Sequence, residues 1–142
     1  ILKPDGLLNT FYDVPWKIIP GRVNGYTGEG PNYSNAGYIS MSQVFSAGAL
    51  LSNVEDLYKW INALQDKKFM PAEMKNKIFY DYIPGKETYS WNKTTTQHQT
   101  NFYHKGGGRA DFESQLMWFP DDDVLIIFCI NNDYKNISNN RS

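Results

Sequence analysis

The sequence is poor in cysteine and has no excess of either charge. Cys129 is the only cysteine among 142 residues, which excludes an internal disulfide and a cysteine metal cluster. Because it lies inside an apolar run, we interpret it as a core residue rather than a reactive thiol. Fourteen basic residues balance fifteen acidic ones, without a long run of either sign. Nucleic-acid and membrane-surface binding are therefore not expected.

Long hydrophobic runs are also missing. The longest, Val124–Ile130, is far too short to span a bilayer, so no membrane span is expected. The two histidines and the scattered acidic residues show no ligand spacing, and we expect neither a metal nor a cofactor. The length suits one domain with a buried core, and ten tyrosines, eight phenylalanines and four tryptophans supply apolar volume.

The first half of the chain predicts loops and helices. The stretch Pro20–Tyr38 is rich in glycine, proline and asparagine and predicts an irregular loop. Ser52 and Glu55 have the spacing of a capping box, and the apolar residues that follow predict an amphipathic helix over residues 53–65. A weaker helix is predicted to begin at Pro71.

The second half of the chain predicts strands. Ser114–Phe119 and Val124–Ile130 are joined by Pro-Asp-Asp-Asp, which indicates an antiparallel hairpin. The second strand is apolar without alternation and is predicted to be buried on both faces. We expect an α/β protein of the α+β type, an antiparallel sheet with packed helices. Its loop and helical part would cover residues 1–82, and its C-terminal strands residues 83–142.

A serine nucleophile with a lysine one helical turn away is suggested by Ser90 and Lys93, which have S-x-x-K spacing. That spacing works only on a helix, where positions i and i+3 share a face. The surrounding sequence, with aromatic residues and three threonines, favours a strand, which would direct the two side chains to opposite faces. We therefore interpret this S-x-x-K as accidental.

A longer pattern follows. The segment YHKGGGRADFESQLMWFPDDDVLIIFCINND resembles the closing part of class C serine β-lactamases and related penicillin-binding proteins, D-alanyl-D-alanine peptidases and esterases. Lys105-Gly106-Gly107 matches their K-T-G triad, and Phe112, Pro120 and Asn131 follow at the family's spacing. Upstream, ILKPDGLLNTFYDVP and AGALLSNVEDLYKW resemble the family's P-L-G segment and the start of its next helix.

The order of the motifs implies an incomplete enzyme. In this family S-x-x-K comes first, Y-x-N second, the P-L-G segment third and K-T-G last. Here the P-L-G-like segment opens the sequence, so Ser90–Lys93 and Tyr33–Asn35, which spells Y-x-N in a predicted loop, are in the wrong places. The resemblance thus implies the C-terminal portion of a β-lactamase/transpeptidase-like fold, inactive alone.

The resemblance also implies site residues. The backbone N–H of Gly108 would be one oxyanion donor, beside Gly107 of the triad, and the Lys105 ammonium would stabilise anionic groups of the relay and the substrate. Gly106 and Asn131 would border the pocket for a substrate carboxylate. His104 is an alternative first triad residue, as in the related H-x-G motif.

Simpler interpretations stay open for each of these residues. The glycines 106–108 could form only a bulge or a turn, Lys105 could be a solvated charge, and Asn131 could merely end its strand. Gly106 also lacks the hydroxyl of K-T-G, and Asp111 stands where the family has glycine. These departures argue against β-lactam hydrolysis and favour a peptidase- or esterase-like activity.

Two hypotheses follow for function. The first is a serine acyl hydrolase that acts on a small-molecule or peptide substrate once a missing N-terminal part completes it. The second is a binding or assembly module that kept the scaffold without the chemistry, and fold alone does not choose between them. An incomplete sheet predicts self-association or a retained partner fragment. The family resemblance implies a periplasmic or other extracytoplasmic location.

Overall fold

The structure is a computed structural model that describes residues 6–14, 16–29, 31–66, 68–80, 91–109 and 111–132. It has an α+β fold whose largest element is a four-stranded antiparallel sheet in the order β5-β6-β7-β8. The strands of this sheet are β5 (Asn92–Thr95), β6 (Asn101–Arg109), β7 (Phe112–Phe119) and β8 (Val124–Ile130). Preceding them are β1 (Phe11–Tyr12), β2 (Tyr26–Glu29), β3 (Asn32–Asn35), β4 (Leu50–Leu51), α1 (Val54–Gln65) and α2 (Ala72–Lys75). The expected division at residue 83 falls within 81–90, outside the described residues.

The predicted hairpin is confirmed as β7 and β8. Phe119 pairs with Val124 and Glu113 with Ile130, so the two strands are in register over the length of β8. β7 begins at Phe112, earlier than predicted, because its first residues continue the ladder with β6, where Arg109 pairs with Phe112. The antiparallel arrangement of the sheet therefore follows from local turns.

An aromatic core packs on one face of the sheet. The ring of Phe79, which is 1% exposed, has its centroid 5.3 Å from that of Trp91, 5.9 Å from Tyr103 and 5.2 Å from Trp118. Ile61 and Leu64 from α1, together with Leu116, complete the buried cluster. Tilted and edge-on ring pairs at these distances add to the free energy gained by burying the apolar surface.

The opposite face of β8 corrects one prediction. Leu125 and Ile127 pack on the core, but Val124 and Ile126 point to the other face and are each 43% exposed. No element within the described residues covers this face, so the strand is not buried on both sides there. Cys129 is also exposed at the surface rather than packed in the core. The neighbouring atoms that cover part of its side chain disfavour the thiolate and so raise the pKa of the thiol.

Helix α1 begins with a cap one residue later than predicted. Asn53 is the N-cap, and its side-chain oxygen accepts a hydrogen bond from the Asp56 N–H at 2.9 Å. Ser52, the predicted cap, lies 2.9 Å from the Thr10 hydroxyl instead. Serine and asparagine are both favoured N-cap residues. Because the Ser52 hydroxyl contacts Thr10, a distant residue, Asn53 takes the N-cap position. The predicted helix itself is confirmed at Val54–Gln65.

Asp56 joins α1 to the start of the chain. This carboxylate is fully buried, and its Oδ2 accepts hydrogen bonds from the Asn9 N–H at 2.7 Å and the Thr10 hydroxyl at 2.9 Å. Its Oδ1 lies 3.3 Å from the Lys59 ammonium, which also donates to the Gly6 carbonyl. Burial would raise the pKa of Asp56, but these hydrogen bonds and the neighbouring charge hold it below its ordinary value.

The second helical segment is short. Pro71 stands at the N-cap of α2 rather than inside its first turn, and the chain continues as a π-helical segment, Asn76–Tyr80. The widened turn carries Phe79 into the aromatic core, where it is buried. The α-helical part spans only four residues, so the main contribution of this segment to the fold is the buried Phe79 side chain.

The stretch predicted as an irregular loop contains a hairpin, which the composition did not predict. Strands β2 and β3 pair from Tyr26 with Asn35 to Glu29 with Asn32. Gly28 has a φ of +132°, and a Cβ there would collide with the carbonyl oxygen of Asn32. The glycine at position 28, which suggested a loop in the sequence, is therefore required for the close pairing of β2 and β3. The Y-x-N sequence, residues 33–35, lies on β3 and not in a loop.

Candidate active site

The second half of β6 forms one edge of the sheet in the described part of the chain. Lys105–Arg109 pair with β7 on one side, whereas β5 reaches only to Asn92, opposite His104. No described residue pairs with Lys105–Arg109 on the β5 side. An edge of this kind presents backbone N–H and C=O groups that an extended ligand can bind.

The ladder geometry indicates which amides face this edge. The Thr96 N–H donates to the Thr100 carbonyl at 2.9 Å, just before the β5–β6 ladder begins. Because bonded pairs recur at every second residue of an antiparallel ladder, Gly106 and Gly108 direct their backbone groups to the same side as Thr100. Gly107 faces β7 instead, and its carbonyl oxygen accepts a hydrogen bond from Ser114 Oγ at 3.3 Å. The structure thus brings two outward amides together at the open edge.

Two cations flank the glycines on the core face of β6. Lys105 and Arg109 alternate with Gly107 on the same face as Tyr103, and both are exposed. Neither forms an ion pair with another described residue. Their charges are therefore available to an anionic group at this edge.

His104 lies on the other face of the strand. Its Nε2 is 3.1 Å from the Thr94 hydroxyl, and its ring is tilted against Phe102 with the centroids 5.4 Å apart. Successive side chains of a strand point to opposite faces, so His104 and Lys105 diverge. The structure therefore brings His104 to β5 and away from the face of Lys105.

Asn131 follows β8 and contacts the β2–β3 hairpin. Its Nδ2 donates to the Asn24 carbonyl at 2.9 Å, and its own carbonyl accepts from the Tyr26 N–H at 2.8 Å. The neighbouring Ile130 lies two strands from Gly108, roughly 10 Å at ordinary strand spacing. These two hydrogen bonds attach the β2–β3 hairpin to the end of β8 through Asn131. The role of Asn131 in binding a substrate carboxylate stays a prediction.

Asp111 makes a second contact with the same hairpin. Its carboxylate accepts a hydrogen bond from the Thr27 hydroxyl at 2.6 Å. Its φ of +62° is in the left-handed region that favours glycine, the residue expected at this position from the family resemblance. Sequence reasoning identified the substitution but missed the contact, because Thr27 is 84 residues away.

The other candidates lie elsewhere. Lys93 is exposed on β5, which confirms strand structure there, while Ser90 lies outside the described residues.

A shallow apolar groove lies between α1 and β8, and its lining residues include Tyr58, Leu125 and Ile127. Strand β7 separates this groove from the open edge of β6. The described ranges contain no cluster of three or more potential metal ligands. Among them there is also no helix long and apolar enough to cross a bilayer.

Comparison with known proteins identifies the family. The sequence matches the Beta-lactamase family over residues 1–141, and the chain belongs to that family. The search of curated proteins gave no match. Among solved structures, the chain is similar to a D-stereospecific amidohydrolase from a Streptomyces species, with a TM-score of 0.73 and 18% sequence identity. The likeness covers 94% of this chain and 42% of the amidohydrolase chain, and it confirms the expected fold.

Proposed function

We propose that this chain is the C-terminal portion of a serine acyl hydrolase and supplies one wall of its active site. The observation that carries the proposal is the open edge of β6, where glycines leave the backbone accessible and the amides of Gly106 and Gly108 face outward. Family membership and the fold similarity to an amidohydrolase support the same reaction class.

In this proposal the Gly108 N–H donates a hydrogen bond to the oxyanion that forms when a serine attacks the acyl carbon. The second donor would be the N–H of the serine itself, in a part of the enzyme that precedes this chain. An oxyanion donor fixed in advance stabilises the transition state more than the substrate, and losing one costs about 10²–10³ in rate.

Lys105 would hold its positive charge beside the reacting groups. An ammonium there favours the anionic form of a proton relay and attracts a substrate carboxylate. Gly107 keeps this stretch free of side chains on the face that Lys105 shares, so that a substrate can approach the strand closely.

Active-site labelling tests the proposal. We expect no adduct when the 142-residue chain is incubated with a fluorophosphonate or a penicillin, measured by intact mass. A polypeptide extended upstream through an S-x-x-K motif should be labelled on that serine by the fluorophosphonate. An adduct on Ser90 would contradict the proposal, as would a lack of labelling in the extended polypeptide, which would favour the binding module.

A backbone variant tests the oxyanion donor. In the extended polypeptide, Gly108→Pro removes the outward amide without removing a bond between β6 and β7. It should slow labelling about 10²–10³-fold, as expected for a lost oxyanion donor. Gly108→Ala is the matched control, since a Cβ there meets its nearest atom at 3.4 Å and the N–H remains. Equal rates in the two variants would exclude Gly108 as a donor.

A further inference from the structure

Gln115 lies across the sheet from the glycine that replaces the hydroxyl residue of the triad. In the β6–β7 register it pairs directly with Gly106. A Cβ on Gly106 would lie 2.5 Å from Oε1 of Gln115. The carboxamide of Gln115 therefore occupies the space that a side chain at position 106 would need.

This carboxamide is half-buried and makes no hydrogen bond with any other described residue. The polar atoms of this carboxamide are not fully buried, so water or a ligand can reach its N–H groups and its oxygen. Gly106 turns its backbone groups to the open edge, so the carboxamide lies over the residue that presents an outward amide. The carboxamide therefore lies beside the outward amide of Gly106, where its donor and acceptor are accessible to a ligand bound along the edge.

We propose that Gln115 is a substrate-recognition residue that replaces, from the neighbouring strand, the polar group missing at Gly106. The inference depends on the proposed acyl-hydrolase function. A carboxamide is uncharged and can both donate to and accept from a substrate amide, whereas it offers a carboxylate only its N–H groups. The site would therefore prefer acyl substrates with an uncharged amide beside the scissile bond over the matching free carboxylates.

The experiment uses the full-length polypeptide that contains this chain and two ester substrates that differ only in a terminal carboxamide or carboxylate. Gln115→Leu keeps most of the side-chain volume and removes the donor and the acceptor that would bind the substrate amide. We expect the ratio of kcat/KM for amide over carboxylate to fall on the order of 10-fold, mainly through KM, as for the loss of one or two uncharged hydrogen bonds. Gln97→Leu, in the exposed turn before β6, is the matched control and should leave the ratio unchanged.

A double variant separates recognition from simple filling of space. Gly106→Thr combined with Gln115→Ala places a hydroxyl where the carboxamide lay, and it should shift the preference toward the carboxylate ester. If Gln115→Leu slows both esters equally and the double variant does not change the preference, Gln115 only fills space and the inference is wrong. If the wild type is not labelled by a fluorophosphonate, the proposed function fails first, and this inference with it.

Discussion

Replacing Asp56 with alanine should strongly destabilise the chain. Oδ2 is the acceptor for both the Asn9 N–H and the Thr10 hydroxyl, so the truncation leaves two donors without their partner. Each buried donor left unpaired costs roughly 1–3 kcal/mol. Asn9 is an exposed residue and Thr10 is only partly buried, so water can compensate part of both losses, and we expect a total loss of about 2–4 kcal/mol in the free energy of unfolding.

The two oxygens of Asp56 allow a finer test. Asp56→Asn can keep an oxygen at the Oδ2 position and lose only the interaction of Oδ1 with Lys59, which is 3.3 Å away. It should cost about 1 kcal/mol, and Lys59→Ala no more than that, since the lysine side chain is 45% exposed. Urea unfolding, followed by tryptophan fluorescence, measures all three variants. If Lys59→Ala costs as much as Asp56→Ala, the ion pair and not the hydrogen bonds holds this contact.

The pH dependence has a defined sign. The pKa of Asp56 is lower in the folded chain than its ordinary value, so the unfolded chain binds the proton more readily. The stabilisation is therefore complete above the ordinary pKa of an aspartate and is lost as the pH falls through the folded value. The difference in unfolding free energy between wild type and Asp56→Asn should shrink on acidification, and a growing difference would contradict this assignment.

Substitutions in three further parts of the fold, the cap of α1, the aromatic core and Asp111, can be tested by urea unfolding. Asn53→Ala removes the cap of α1 and should cost about 1 kcal/mol, more than Ser52→Ala if the cap is assigned correctly. Phe79→Ala empties the centre of the aromatic core and should cost about 3–5 kcal/mol, with loss of near-ultraviolet circular dichroism. Asp111→Ala and Asp111→Gly both remove the bond to Thr27, so their difference isolates the backbone at φ +62°. The glycine variant should be more stable by about 1 kcal/mol, and equal stabilities would contradict strain at this position.

The elements that could be predicted from the sequence are those set by neighbouring residues. The apolar spacing after Asn53 and the turn between Phe119 and Val124 depend on a few adjacent side chains, and both predictions are confirmed. The family resemblance depends on spacing over many residues, and the match over residues 1–141 confirms it.

Predictions failed where a distant contact decides the local structure. Ser52 is a good cap in isolation, but its hydroxyl lies beside Thr10, 42 residues away. The glycine-rich stretch is a hairpin that bonds to Asn131 through Tyr26, a contact that spans most of the chain. The same holds for the site, because only the sheet register places Gln115 opposite Gly106.

The tryptophans and tyrosines of the aromatic core allow folding to be followed by intrinsic fluorescence. Trp91 and Trp118 are almost fully withdrawn from solvent beside Phe79, whereas Trp16 is 83% exposed. Tyr103 lies 5.7 Å from the Trp118 ring, well within the range of energy transfer. Emission from Trp91 and Trp118 should shift to longer wavelength when the core opens, and the partly buried Trp60 of α1 should respond with them, while Trp16 gives a nearly constant background. Because Tyr103 and Trp118 are paired across β6 and β7, light absorbed by Tyr103 and emitted by Trp118 reports whether these two strands stay paired, without any added label.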